Sequence, residues 1–151
     1  RDNLMFGCPD ATEEQIEEAL VISQAKEFVD TKEGRLDAVV EQGGKNLSGG
    51  QRQRLTLARA LVPQSDILIM DDSASALDYA TDAKLRKAIQ NMKRKPTVFI
   101  VSQRTSSIQD ADSILVLDDG KIAGKGTHEE LIASCDIYRE IYETQFKKEE
   151  A

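Results

Sequence analysis

The chain has 151 residues, 40% hydrophobic and 31% charged, which suits one soluble globular domain of ordinary size. Its net charge of -7 argues against binding nucleic acid or an anionic membrane through bulk charge, though it leaves room for a local phosphate site. No apolar run approaches the roughly 18 residues of a membrane span, and no signal-peptide pattern is present.

Taken in order, the chain starts abruptly: Arg1-Asp2-Asn3-Leu4 has no initiator Met and reads as the start of a piece cut from something longer. Cys8 and Cys135 fit no metal or redox spacing and are expected to be reduced thiols. A helix is predicted from Thr12 to Phe28, with Thr12 as N-cap and Gln15 completing a capping box. Ile16, Ala19, Leu20, Ser23 and Ala25 mark its apolar face, and Glu13, Glu14, Glu17 and Glu18 stay outside. From Leu36 to Asn46 the pattern loosens around the Gly43-Gly44 turn signal.

A second helix is predicted from Gly49 to Leu61, with Pro63 marking its end. Asp66 to Asp71 reads as a short buried strand, because its Ile-Leu-Ile-Met run is uniformly apolar. Asp78 can cap a helix running to about Lys93, and a second apolar strand covers Thr97 to Ser102. A third spans Ser113 to Leu117, and Asp118-Asp119-Gly120 is a hairpin signal leading into Lys121-Ile122-Ala123. Thr127-His128-Glu129-Glu130 opens a short helix, and an amphipathic helix follows near Ile137 to Phe146. His128, inside that helix start, is expected to be structural. Apolar strands alternating with helices predict an α/β fold: a mainly parallel sheet covered on both faces, preceded by a helical segment.

Two stretches raise chemical questions. In Leu47-Ser48-Gly49-Gly50-Gln51, a serine and two glycines stand directly before a helix, where unpaired N–H groups can receive an anion. The same residues also make an ordinary N-cap with a flexible turn. In Leu68-Ile69-Met70-Asp71-Asp72-Ser73, an apolar strand drives into two adjacent carboxylates, a costly arrangement in a buried position unless something pairs with them.

The ordered series resolves both. Leu47-Ser48-Gly49-Gly50-Gln51, continuing as Arg52-Gln53-Arg54, resembles the signature motif of ATP-binding cassette (ABC) transporters. Ile67-Leu68-Ile69-Met70-Asp71 resembles their Walker B strand, and Ser75-Ala76-Leu77-Asp78 their D-loop. The resemblance covers essentially the whole chain, including Gly124-Lys125-Gly126-Thr127-His128-Glu129-Glu130-Leu131. Arg52-Gln53-Arg54 and Gln103-Arg104-Thr105-Ser106 resemble exporters more than importers, and Val40-Glu41-Gln42-Gly43-Gly44 loosely resembles the exporter X-loop. The implied fold is a partial P-loop NTPase: a helical subdomain with the signature at 1–62, and the second half of the ATPase core at 63–151.

The resemblance implies ATP and Mg²⁺ as cofactors. Asp71 would help hold Mg²⁺, whose charge compensates the paired carboxylates. Ser48, Gly49, Gly50 and Gln51 would contact nucleotide bound by a second cassette, and Asp78 would lie between the two sites. Asp72 occupies the position where active cassettes carry a catalytic Glu; it is one methylene shorter, roughly 1.5 Å of reach. Gln103 replaces the family's switch histidine, and glutamine carries no charge and shuttles no proton. The two departures together imply the degenerate-site subunit of a heterodimeric exporter. Its intact signature would complete the partner's site while Asp71, Asp72 and Gln103 line its own weaker one.

No Gly-x-x-x-x-Gly-Lys-Ser/Thr occurs in the sequence. The family places that P-loop upstream, with the membrane domain, so the chain is expected to be the later half of a cassette. Such a fragment, soluble by itself, should bind ATP weakly and hydrolyse none. The full protein is expected at the cytoplasmic face of the cell membrane, partnered by a second cassette and a transmembrane domain, with no nucleic acid. A homodimeric exporter with slow turnover, or an ABC-fold module that dimerises on ATP as a scaffold, are the alternatives.

Overall fold

The first predicted helix is capped as expected but ends early. In the computed structural model, which describes residues 1–73 and 75–146, Thr12 Oγ1 accepts from the Gln15 N–H at 3.2 Å. Gln15 Oε1 in turn accepts from the Thr12 N–H at 2.8 Å. Instead of running to Phe28, the segment forms α2 (Glu13–Ile22) and α3 (Lys26–Asp30). Gln24 is the cause: it takes a left-handed backbone, φ 59°. The Ala25 N–H then reaches back to the Leu20 carbonyl at 2.8 Å and the Gln24 N–H to that of Val21 at 3.1 Å. That pair of bonds closes a helix through a Schellman turn, with glutamine in a role usually held by Gly or Asn.

Two compact units make up the chain, Arg1–Val101 and the unit from Ser102 onward. The first also holds α1 (Asp2–Met5), which the pattern did not predict, and 3₁₀ turns at Arg35–Asp37 and Gln42–Gly44. Beyond these come α4 (Gly49–Leu61), β1 (Ile67–Asp71), α5 (Tyr79–Gln90) and β2 (Thr97–Val101). Helix α5 stops short of Lys93 because Asn91 turns back on it, its Nδ2 donating to the Lys87 carbonyl at 2.8 Å. Strands β1 and β2 pair in parallel, from Ile67 with Thr97 to Asp71 with Val101, and α5 is the crossover that parallel pairing requires. Leu68 and Met70 of β1 join Leu57 and Leu61 of α4, Leu85 and Ile89 of α5, and Ile16 and Leu20 of α2 in one core. Fully burying a leucine such as Leu85 contributes about 1.5–3 kcal/mol. This core spans both sides of residue 62.

The second unit begins with a 3₁₀ turn at Thr105–Ser107, followed by an antiparallel hairpin of β3 (Ile114–Asp118) and β4 (Lys121–Gly126). Its tip is the expected one: Asp119 and Gly120 both have positive φ, 45° and 73°, which a tight primed turn demands. Strand β4 outruns the Lys121–Ala123 expectation because its glycine-rich end pairs through Gly126 with Ile114. Helices α6 (His128–Ser134) and α7 (Asp136–Phe146) complete it, around a core of Ile114, Val116, Leu131, Cys135 and Tyr138. His128 is structural here: its Nδ1 meets the Tyr138 hydroxyl at 2.9 Å. Cys8 and Cys135 are both free. Among the described residues, no helix is long and apolar enough to cross a membrane.

One expectation needs correcting. The uniformly apolar strands predict a sheet covered on both faces, but β1 alternates between exposed and buried. Ile69 and its pairing partner Phe99 are 69% and 55% exposed. The sequence reports how much apolar surface the strands carry, and among the described residues only one face finds helices to cover it. Contiguous exposed apolar surface beside unpaired strand edges favours association. The 151-residue chain is therefore expected to self-associate at micromolar concentration in sedimentation velocity, and Ile69→Thr with Phe99→Thr to shift it toward monomer. Sedimentation of the unsubstituted chain as a clean monomer would contradict this.

Candidate functional site

In the first unit the start of α4 and the exit of β1 meet. Ser48 caps α4: its Oγ accepts from the Gln51 N–H at 3.2 Å, and Gln51 Oε1 accepts from the Ser48 N–H at 3.0 Å. The Ser48 and Gln51 side chains thus do the work of an N-cap, the plainer of the two readings of this stretch. The earliest backbone bond of the helix is from Arg52 N–H to the Ser48 carbonyl, at 3.0 Å, so the Gly49 and Gly50 amides precede the helical ladder. That is a geometry suited to an anion. Gly50 also lies against the loop after β1: a Cβ on it would fall 3.1 Å from the Ala76 carbonyl oxygen.

Strand β1 delivers Asp71 to its carboxyl end, on the same face as Ile67 and Ile69. Asp71 and Asp72 are both exposed, so water screens the repulsion that a buried pair would suffer. Neither carboxylate has a hydrogen bond or ion pair among the described residues, and there they form no cluster of three metal-ligating side chains. Two unengaged carboxylates suit Mg²⁺, which commonly takes one or two from protein and its other ligands from phosphate and water. They do not form a self-sufficient metal cage.

Asp72 itself has a left-handed backbone, φ 46°. Asp is one of the few non-glycine residues that tolerates this conformation. Its N–H continues the sheet, donating to the Val101 carbonyl at 2.9 Å, while its carbonyl turns into the loop. There it accepts from Ser75 Oγ at 3.0 Å and from Gln53 Nε2 at 2.9 Å. Gln53 Nε2 also reaches Ser75 Oγ at 3.1 Å, and Gln53 Oε1 accepts from the Ala76 N–H at 2.9 Å. Asp78 caps α5, accepting from the Thr81 N–H and Thr81 Oγ1, each at 2.8 Å. The Thr81 amide and hydroxyl hold the Asp78 carboxyl below its ordinary value.

Each member of the Arg52-Gln53-Arg54 triplet holds something different. Arg52 Nη1 donates to the Leu47 carbonyl at 2.8 Å, Gln53 holds the loop after β1, and Arg54 Nη1 donates to the Gln24 carbonyl at 2.8 Å. The Arg54 guanidinium also stacks 4.9 Å over Phe28.

Gln103 belongs to the second unit and is exposed. Its carbonyl accepts from Gln145 Nε2 at 2.6 Å, and Gln145 Oε1 accepts from the Thr105 N–H and hydroxyl at 2.9 and 3.0 Å. The structure thus brings Gly49 and Gly50, in the helix end capped by Ser48 and Gln51, beside Ala76 of the loop that leads from Asp71 at the end of β1 and Asp72 to the Asp78 cap of α5, all within one unit, and places Gln103 within the other. Gln53 and Gln145, which pin the two loops, carry no sequence signal of that role, since neither lies near its loop along the chain.

Comparison with known proteins bears on these residues. Residues 3–75 match a family described as "ABC transporter". The "ATP-dependent lipid A-core flippase" of Shewanella frigidimarina is 40% identical over 148 residues, 97% of this chain and 25% of that protein. The "Beta-(1-->2)glucan export ATP-binding/permease protein NdvA" of Rhodopseudomonas palustris is 41% identical over 150 residues, again 25% of its length. A solved structure, a bacterial Atm1-family ABC exporter with ATP bound, superposes with a TM-score of 0.90 at 31% identity, covering 95% of this chain and 25% of that one. The chain therefore spans about a quarter of the length of these relatives. Its α/β fold is that of a segment of such an ATPase.

Proposed function

We propose, starting from a chain that is part of an ABC transporter ATP-binding domain of the exporter type, that it serves a paired ATPase as the quieter of two cassettes. The carrying observation is the junction of the two motifs: Gly50 at the start of α4 stands against Ala76, in the loop that follows Asp71 and Asp72 and leads to the Asp78 cap. In head-to-tail cassettes each site takes its Walker carboxylates from one chain and its signature from the other. Residues 1–62 then supply the signature segment and 63–151 the carboxylate and switch segment of the core. The unpaired amides of Gly49 and Gly50, with the Ser48 hydroxyl, would face the phosphates held by the partner cassette.

Asp71 and Asp72 would stand at this chain's own site, with Asp71 on the Mg²⁺ side. Bound Mg²⁺ supplies charge neutralisation of the phosphates. Asp72 would be the acid facing the attacking water, and Gln103 the residue after β2 that takes the switch position. A carboxylate that stops short of the water is a weak base whatever its pKa, and a glutamine cannot add a charge. Both substitutions favour holding ATP over splitting it. The paired assembly would couple ATP binding and hydrolysis to export, at the cytoplasmic face of a membrane reached through a transmembrane domain. Alone, the 151-residue chain would not hydrolyse ATP.

Vanadate, which mimics the transferring phosphoryl group and captures ADP only where hydrolysis occurs, tests this. In the assembled transporter with its nucleotide photo-crosslinked, captured ADP is expected on the partner cassette and uncleaved ATP on this one. Equal capture of ADP on both would overturn the proposal in favour of a symmetric, slow exporter.

A further inference from the structure

We propose that Gln53 is a positioning residue that locks the loop after β1 to the signature helix. The inference rests on the reading above, in which that loop and the start of α4 serve two different nucleotide sites. Gln53 meets that loop only through the Asp72 carbonyl, the Ala76 N–H and the Ser75 hydroxyl, and not through the Asp71 or Asp72 carboxylate. Its Nε2 holds the Asp72 carbonyl at 2.9 Å and its Oε1 holds the Ala76 N–H at 2.9 Å, so one amide group grips the loop at both Asp72 and Ala76. The grip has a purpose at Asp72, whose left-handed backbone is a minority conformation that persists only where surrounding bonds dictate it. Ser75 Oγ adds a second side-chain bond to the Asp72 carbonyl at 3.0 Å.

The other half of the lock is Gly50, one helical turn before Gln53. With no side chain it lets the Ala76 carbonyl approach to where a Cβ would be 3.1 Å away, so α4 lies directly on the loop it holds. A movement of Asp72 or Ala76 at one site is thereby carried through one glutamine to Ser48, Gly49 and Gly50 at the other. Gln53 couples the two ends of this chain's contribution through the backbone of the loop.

Amide exchange and ATP turnover of the assembled transporter together test this, with Gln53→Ala and Gln53→Glu. In Gln53→Ala, exchange across residues 72–77 is expected to rise about tenfold while the amides of α4 keep their protection. The kcat for ATP should fall about tenfold with KM within about twofold, since positioning is lost and binding is not. Gln53→Glu keeps an acceptor for the Ala76 N–H but cannot donate to the Asp72 carbonyl. It should leave exchange at Ala76 near normal and still lower kcat.

Unchanged exchange over 72–77 in Gln53→Ala would overturn the proposal, as would unchanged kcat despite faster exchange. Should the unsubstituted assembly show no ATP turnover, the functional reading fails instead, and the exchange measurement alone decides whether Gln53 holds the loop.

Discussion

Gly50→Val is expected to lower ATP turnover of the assembled transporter at least about 100-fold, because it misplaces the start of α4 by a large fraction of an ångström or more. The Cβ would fall 3.1 Å from the Ala76 carbonyl oxygen and 3.7 Å from Leu77 Cδ2, and valine adds two methyl groups beyond it. Backbone cannot yield as a flexible side chain does, so the first turn of α4 must lift from the loop. The loss alone does not separate a broken junction from a blocked phosphate site. Gly49→Ala does. Among the described residues a Cβ there meets the Ala76 Cβ at 3.8 Å and Arg52 Nη2 at 4.0 Å, which are ordinary contacts, and alanine is the better helix former. The variant should melt no lower than the unsubstituted protein and still lose about tenfold in turnover, if a phosphate must come close to that backbone. Undiminished turnover in a stable Gly49→Ala protein would show that no ligand approaches there.

What the sequence made legible is local. The capping boxes at Thr12 and Gln15, Ser48 and Gln51, and Thr127 and Glu130 each lie within four residues, as do the Asp78 cap and the Asp119-Gly120 turn. Their donors and acceptors are fixed by the few residues that name them. Gln24 escaped because its left-handed turn is set by the Leu20 and Val21 carbonyls behind it, and glutamine is not the residue that advertises such a turn. Gln53 and Gln145 escaped for a different reason. Each acts across 19 to 42 positions of chain, and no periodicity encodes that. The uniform apolarity of β1 was legible but ambiguous, since it speaks of what a strand can bury and not of what stands ready to cover it. The paired carboxylates posed a problem on a strand assumed to be buried, and their exposure removes it.

Restoring Asp72→Glu and Gln103→His together is expected to raise hydrolysis at this chain's own site by about 100-fold, the scale of rate that about 1 Å of placement controls. The measure is vanadate-captured ADP on this cassette in the assembled transporter. No gain in the double variant would remove the degenerate-site account. The single Asp72→Glu should gain less, because the switch position would still carry an uncharged glutamine. It should also lower stability by a fraction of the roughly 1 kcal/mol that a left-handed backbone costs an ordinary residue, since glutamate lacks the local tolerance of aspartate there. That backbone is held by Gln53 and Ser75 through the carbonyl of residue 72, a backbone group that the substitution leaves in place. The substitution therefore changes the reach of the acid and not the path of the chain, so a gain in rate would report on reach itself. A chain with aspartate at 72 fits its turn better than one with glutamate, and on this account the quieter site is also the less strained one.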